Sequence, residues 1–390
     1  MNPAFSSFAS AETHLLACCA RTFVSPEMAA RIRETAAAPL DWSSVLAQAQ
    51  EHSILPLLAR NLCLFAAGTV PADVAAQLDS GVLANAVRCL GQTSELVHVV
   101  DLLSSRGIRA LPYKGPVIAA QAYQDISARQ FEDIDVIVQQ RDVPAADTLV
   151  RSLGYQPRSA WLHSSNGRTV VPGEYSYSHP ARRILLELHT EGTLRHFPVR
   201  APISEFFAHA ATVDLGGKAV QTFCGEDALP VYCIHATKDF WQKLIWVVDI
   251  AEMLRTFSNL DWDSMWRASD RLRARRMVHL GLALASGILD TPLPSDVQKR
   301  VEEDSHASSL AMQIAQRLLR PTAPAQQQTA RERFLYRRQS VSGFVAGWRY
   351  ALRLTLASAG DDWAQGRVPH PSSPLHAALR PFRLLRKYSR

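Results

Sequence analysis

The sequence predicts a mostly helical α+β protein whose strands are gathered in one central stretch. Three observations predict it. Residues 1–104 are Ala- and Leu-rich and carry helical apolar spacing. From Ile108 the period shortens, and short apolar runs separated by turn residues follow to about residue 200. From Gly225 to about Arg320 helical patterning returns. Four regions follow: 1–104 helical, 105–224 the strand-bearing core, 225–320 helical, and 321–390 a linker with a basic tail.

The first region divides into FSSFASAETHLLACCART, PEMAARIRETAAA, DWSSVLAQAQEHSILPLLARNLCLF and PADVAAQLDSGVLANAVRCLGQTSELVHVVDLLSSRG. Asp41 or Ser43 can cap the third, and Asp73 after Pro71 marks the start of the fourth. Leu96, Val99, Val100 and Leu103 follow i, i+3, i+4, i+7, one apolar stripe of a helix. A lone histidine there, His52, reads as a packing or surface residue.

In the core, Ile108 to Tyr113 is a short strand ending at Lys114-Gly115-Pro116, and VIAAQAYQ is a short helix. After the loop DISARQ comes Phe131 to Val138, a strand with two aspartates one residue apart. Alternation puts Asp133 and Asp135 on one face, with α-carbons roughly 6.5–7 Å apart, and Ile134, Val136 and Val138 on the other. A helix over 142–153 follows, with Asp142 as candidate N-cap and Gly154 as C-cap. YSYSHP, a turn at Ala181-Arg182-Arg183, and Ile184 to His189 read as a hairpin. Within it, Leu185, Glu187 and His189 share a face. A glutamate inside an apolar strand is costly unless partnered, which makes Glu187 the natural third carboxylate. An ion pair with Arg182 or Arg183 across the hairpin is the competing use.

The next helix, to Leu254, carries His235, Asp239, Gln242, Trp246 and Asp249 at i, i+4, i+7, i+11, i+14. That polar stripe can line a cleft or simply face solvent or another helix. PTAPAQQQTA (321–330) is a linker by composition, and 331–357 forms one or two basic amphipathic helices.

The net charge is +6, but residues 331–390 hold 12 basic and 3 acidic residues, so the preceding 330 sum to −3. The basic character belongs to the tail, and no long nucleic acid is expected as a partner. The tail can make a weak contact with an anionic membrane surface or an acidic partner, or cover the body. Six scattered cysteines with no CxxC spacing, no signal-peptide pattern and no long apolar window point to reduced thiols and a cytoplasmic location.

Paired carboxylates on one strand face repel unless a divalent cation sits between them. Lys114 supplies a point charge for phosphate, Gly115 permits close backbone approach, and Arg129 lies four residues before Asp133. These are the parts that phosphoryl transfer from a nucleotide needs: carboxylate-held metal, cations on phosphate, and geometry.

LPYKGPVIAAQAYQDISARQFEDIDVIV, then LELHTEG, then IHATKDFWQKLIWVVDIAEML resembles the uncharacterised bacterial nucleotidyltransferases of the polymerase-beta-like superfamily. DWSSVLAQAQEHSILPLLARNL and LRPFRLLRKY are similar to that family too. The resemblance implies a small mixed β-sheet nucleotidyltransferase core with metal at one edge, flanked by helices. It implies Asp133, Asp135 and Glu187 as catalytic residues and metal ligands. It also implies Lys114, Gly115, Arg129, His189, His235 and Asp249 as residues that bind the nucleotide. The wider superfamily has a glycine–serine turn where this chain has Lys114-Gly115, and aspartate is common where it has Glu187.

The expected activity is Mg²⁺-dependent transfer of a nucleoside monophosphate from a nucleoside triphosphate, with one or two ions. The acceptor is a hydroxyl or phosphate of a small molecule, sugar or peptide. Two rivals stay open: a non-catalytic binding or regulatory module on the same fold, and transfer of another phosphate-linked group such as a sugar.

Overall fold

A computed structural model describes Phe5 and residues 7–158, 173–190, 203–320 and 329–356. The N-terminal helices are α1 (Ala11–Cys19), α2 (Pro26–Ala36), α3 (Trp42–Glu51), α4 (Leu55–Phe65) and the long α5 (Ala72–Ser105). Side chains of Ser10, Ser25 and Asp41 accept from backbone N–H groups in the first turns of α1 to α3. Asp41, rather than Ser43, is therefore the cap of the third.

The core follows as β1 (Ala110–Tyr113), the single turn α6 (Gly115–Ile118), β2 (Asp133–Val138) and α7 (Val143–Ser152). Then come β3 (Gln156–Pro157), β4 (Glu174–His179), β5 (Ile184–His189), α8 (Ile203–Ala208) and the hairpin β6 (Ala211–Asp214) with β7 (Ala219–Thr222). Asp142 precedes α7 but makes no side-chain cap, because Gln140–Asp142 is already a 3₁₀ turn. Gly154 follows α7 at φ +93°, a conformation that costs glycine nothing.

The main sheet is mixed, in the order β1-β2-β5-β4-β3. β2 and β5 are parallel, and the other pairs are antiparallel. Both faces are covered. Ile134, Val136, Val138, Leu186 and Leu188 are all fully buried in one cluster with Leu96, Val99, Val100 and Leu103 of α5 and Val143, Ala146 and Val150 of α7. Each such side chain contributes about 1.5–3 kcal/mol by leaving water. Leu111, Tyr113 and Ile137, on the opposite face, join the larger cluster formed by the N- and C-terminal helices. Register is therefore fixed from both sides, since a one-residue slip would exchange the two faces.

The C-terminal helices are α9 (Gly225–Lys238), α10 (Leu244–Thr256), α11 (Trp262–Arg271), α12 (Arg275–Leu289), α13 (Ser295–Glu303), α14 (Ser305–Leu318), α15 (Ala330–Gln339) and α16 (Phe344–Leu356). The single helix expected over 225–254 is two. Asp239 caps α9, and Phe240 and Trp241 take φ +61° and +51°, in the left-handed region that bulky residues rarely enter. The turn is held from outside. Trp241 is completely buried, its indole N–H donates to Thr237 at 3.1 Å, and Arg317 of α14 donates to the Phe240 and Trp241 carbonyls. The basic region is two helices, α15 and α16. Residues 321–328 of the expected linker, and everything after 356, lie outside the described residues. No described helix is long and apolar enough to cross a membrane.

Candidate active site

Strand pairing assembles the site. Tyr113 of β1, Asp135 of β2, Glu187 of β5 and Ser176 of β4 are successive register partners. They form one row across the sheet, and partners in a row share a face. The flanking rows add Asp133 and Leu185 on one side, and Ile137, His189 and Glu174 on the other. Residues 52 apart in sequence thus meet because β5 inserts beside β2, parallel to it.

Asp135 is the centre. It is 1% exposed. Its Oδ1 accepts from Lys114 Nζ at 2.8 Å and from His189 Nε2 at 2.8 Å, so His189 carries its hydrogen on Nε2. Burial pushes its carboxyl up, but Lys114 and His189 outweigh burial and hold it well below the usual carboxylate range. Its Oδ2 is buried without a hydrogen-bond partner. Glu187 accepts from Ser176 Oγ at 3.1 Å, and its other oxygen lies 3.6 Å from His189 Nε2. Arg182, its rival partner in the hairpin, is instead paired with Glu95 of α5. Burial, then the charge of Glu174, raises the Glu187 carboxyl; burial, then the charge of Asp135, raises that of Asp133.

Lys114 stands at φ 59°, ψ −156°, a region otherwise reserved almost wholly for glycine. Its backbone N–H donates to the Tyr232 hydroxyl of α9 at 2.7 Å. The next residue, Gly115, is at φ +35°, and a Cβ there would meet the Asp133 carbonyl at 3.1 Å. The turn thus presses against β2 and aims the lysine across it, its ammonium also 4.8 Å from the Tyr113 ring centroid.

Among the described residues, Asp135, Glu187 and His189 form the group able to hold a metal ion, with ligand atoms within 4.8 Å of one another. Asp133 is adjacent to it on the same face. The donors fit a hard cation. Asp135 Oδ2 is an unused lone-pair donor, Asp133 and Glu187 lie beside it on the same face, and carboxylate oxygens are what Mg²⁺ selects. His189, already donating to Asp135, orients that carboxylate.

Arg129 and Asp249 depart from expectation. Both are expected on the substrate side; the structure commits them to each other. Arg129 Nε and Nη2 donate to the two Asp249 oxygens at 2.7 and 2.8 Å, and the Tyr123 hydroxyl donates to Oδ1 at 2.7 Å. Their side chains are 8% and 3% exposed. Three hydrogen bonds hold that carboxylate, so the pair ties the segment before β2 to α10. His235 does lie near the row. Its ring packs edge-on against Trp246 at 5.8 Å, Nδ1 is 3.7 Å from Asp239, and burial followed by the charge of Lys114 pushes it well below the usual histidine range.

The model of a family described as uncharacterised nucleotidyltransferase matches residues 38–290. The chain belongs to that family. No curated protein matches. A solved nucleotidyltransferase-like protein from Paracoccidioides brasiliensis, an antigenic protein, is similar at 16% identity over 53% of this chain and 95% of that chain, with a TM-score of 0.30. A likeness that loose adds nothing to the family assignment. Sequence reasoning missed two residues that touch the row and its lysine turn, Ser176 and Tyr232. Only Ser176 had a signal, since alternation in Tyr175-Ser176-Tyr177-Ser178 sets the serines opposite the buried tyrosines.

Proposed function

We propose that the protein is a Mg²⁺-dependent enzyme that moves a nucleoside monophosphate from a nucleoside triphosphate to a hydroxyl of a small-molecule, sugar or peptide acceptor. The observation that carries this is the row of Asp135 and Glu187, flanked by Asp133 and His189, in a member of a nucleotidyltransferase family. Asp133, Asp135 and Glu187 would hold the metal, which when bound would neutralise the phosphate oxygens and align the attacking and leaving oxygens.

The chain's own residues do the rest. Lys114 supplies a cation at the row, where a phosphate oxygen can share its ammonium with Asp135. Glu187, its carboxyl raised by burial and by Glu174, is tuned to take the proton of the acceptor hydroxyl. The acceptor oxygen then bonds to the α-phosphorus, the bond from that phosphorus to the bridging oxygen breaks, and pyrophosphate leaves with its electrons. His189 and Ser176 fix the carboxylates they touch, and Arg129 with Asp249 fixes the approach to β2.

The test is thermal stabilisation by each nucleoside triphosphate with Mg²⁺, in the natural protein and in Asp133→Ala/Asp135→Ala. A shift in the natural protein that vanishes in the variant supports the site; an equal shift in both overturns it. Label at the α-phosphate is expected in the product, and label at the γ-phosphate only in pyrophosphate. Transfer of γ-label or of a sugar would replace nucleotidyl transfer with another reaction at the same row.

A further inference from the structure

The family match ends at residue 290, but the chain returns to the site forty residues later. Arg333, Tyr336 and Arg337 lie on one face of α15, at i, i+3 and i+4. That face clasps Phe240. The Tyr336 ring lies 4.9 Å from it, and the Arg333 and Arg337 guanidiniums are 5.6 and 5.1 Å from its centroid. Phe240 is in the turn between α9 and α10, so Arg337 is delivered beside Asp239, where its positive charge offsets part of the upward push of burial on that carboxyl.

Lys238, the last residue of α9, stands on the other side of Asp239. Its Nζ is 3.9 Å from Glu174, the register partner of His189. Lys238 therefore overhangs the same sheet face as Glu187 and Asp135. Asp239 is 3.7 Å from His235, which in turn feels the charges of Lys114 and Asp135. Lys238 thus stands at the β4 end of the carboxylate row, opposite Lys114, and Arg337 stands beside the turn residue that follows it. One of them is supplied by a helix that no part of the family match contains.

We propose that α15 is part of the substrate site, and that Arg337 and Lys238 bind the outer phosphates of the nucleoside triphosphate, the group that departs as pyrophosphate. This rests on the transferase reading above. It assigns the C-terminal region a place in nucleotide recognition in addition to packing. Arginine suits the role, since its planar fork matches phosphate oxygens, and the Phe240 ring holds it ready.

The experiment uses the full chain with Mg²⁺ and the triphosphate that stabilises it most. Dissociation constants are measured by calorimetry for that nucleotide and for its monophosphate, in the natural protein, in Arg337→Gln/Lys238→Gln and in Arg337→Lys. The double variant is expected to bind the triphosphate about tenfold or more weakly, the weight of one or two charge-assisted hydrogen bonds. Its affinity for the monophosphate is expected to stay unchanged, and Arg337→Lys to fall between the two. An unchanged triphosphate affinity overturns the proposal. So does an equal loss for both nucleotides, because that is the mark of a packing role. If the natural protein binds no triphosphate, the transferase reading falls first; if it binds one and the variants match it, only the role of α15 falls.

Discussion

Replacing Asp249 by alanine removes both carboxylate acceptors of the Arg129 guanidinium at once. The pair is bidentate, at 2.7 and 2.8 Å, with side chains 8% and 3% exposed, and the Tyr123 hydroxyl loses its acceptor as well. Burial alone pulls the Arg129 guanidinium toward deprotonation, and Asp249 more than reverses that. Without Asp249 a buried cation is left uncompensated, a loss of about 3–5 kcal/mol. The matched control is Arg129→Met/Asp249→Ala. Removing both charges leaves no ion to desolvate, so the double variant is expected to recover about half or more of the loss, at least roughly 1.5–2.5 kcal/mol. Urea unfolding followed by tryptophan fluorescence and circular dichroism measures both. If Asp249→Ala falls within about 1 kcal/mol of the natural protein, the pair is not the latch its geometry describes.

Two further predictions concern the carboxylate row. Lys114→Gly is expected to be more stable than Lys114→Ala by about 1–3 kcal/mol, because both remove the ammonium but only glycine relieves the φ 59°, ψ −156° backbone; equal urea midpoints would contradict the strain. Glu187 is raised from 4.5 by burial and by Glu174, so the folded state binds its proton more tightly than the unfolded chain does. Its ionised form therefore costs stability, which falls as pH rises through the window above 4.5, while proton acceptance begins only there. The stability of the metal-free protein is expected to fall with pH across that window and Glu187→Gln to remove the fall, as urea midpoints would show, while with Mg²⁺ present Glu187→Gln loses most of the activity.

What was legible in the sequence was whatever rests on local periodicity. Ile134, Val136 and Val138 alternate with Asp133 and Asp135 in the sequence, and the structure buries the first three completely. The hairpin turn at Ala181 to Arg183 was legible too, with Arg183 at φ 55°. The break between α9 and α10 was not. Lys238-Asp239-Phe240-Trp241 holds neither glycine nor proline, and the turn exists because Trp241 fills the core and Arg317 satisfies two carbonyls from 76 residues away. The pairing of Arg129 with Asp249 spans 120 residues and has no period at all. Both residues look like ligands in a sequence, because a charged group near a motif carries no mark of which partner it will find. The return of α15 to Phe240 was hidden for the same reason, and its basic composition drew attention to membranes and acidic partners instead.

Two buried ion pairs, Arg129–Asp249 and Lys114–Asp135, differ in one respect that separates scaffold from site. At Asp249 both oxygens are taken by Arg129, one of them also by Tyr123. At Asp135 one oxygen accepts from both Lys114 and His189 and the other from nothing, the lysine is in a glycine conformation, and burial raises the neighbouring carboxyls. A structure that is stable for its own sake would not leave those valences open; sites that bind or turn over ligands do, at the expense of stability. That contrast predicts the behaviour of Lys114→Gly/Asp135→Asn. The double change removes the strained backbone, the buried pair and the charge on the partnerless oxygen, and His189 can still donate to the amide oxygen. Its unfolding free energy is expected to match or exceed that of the natural protein, while stabilisation by Mg²⁺ with nucleoside triphosphate is lost. A loss of more than about 2 kcal/mol would place Lys114 and Asp135 in the scaffold beside Arg129 and Asp249, and the site would have to be sought elsewhere on the sheet.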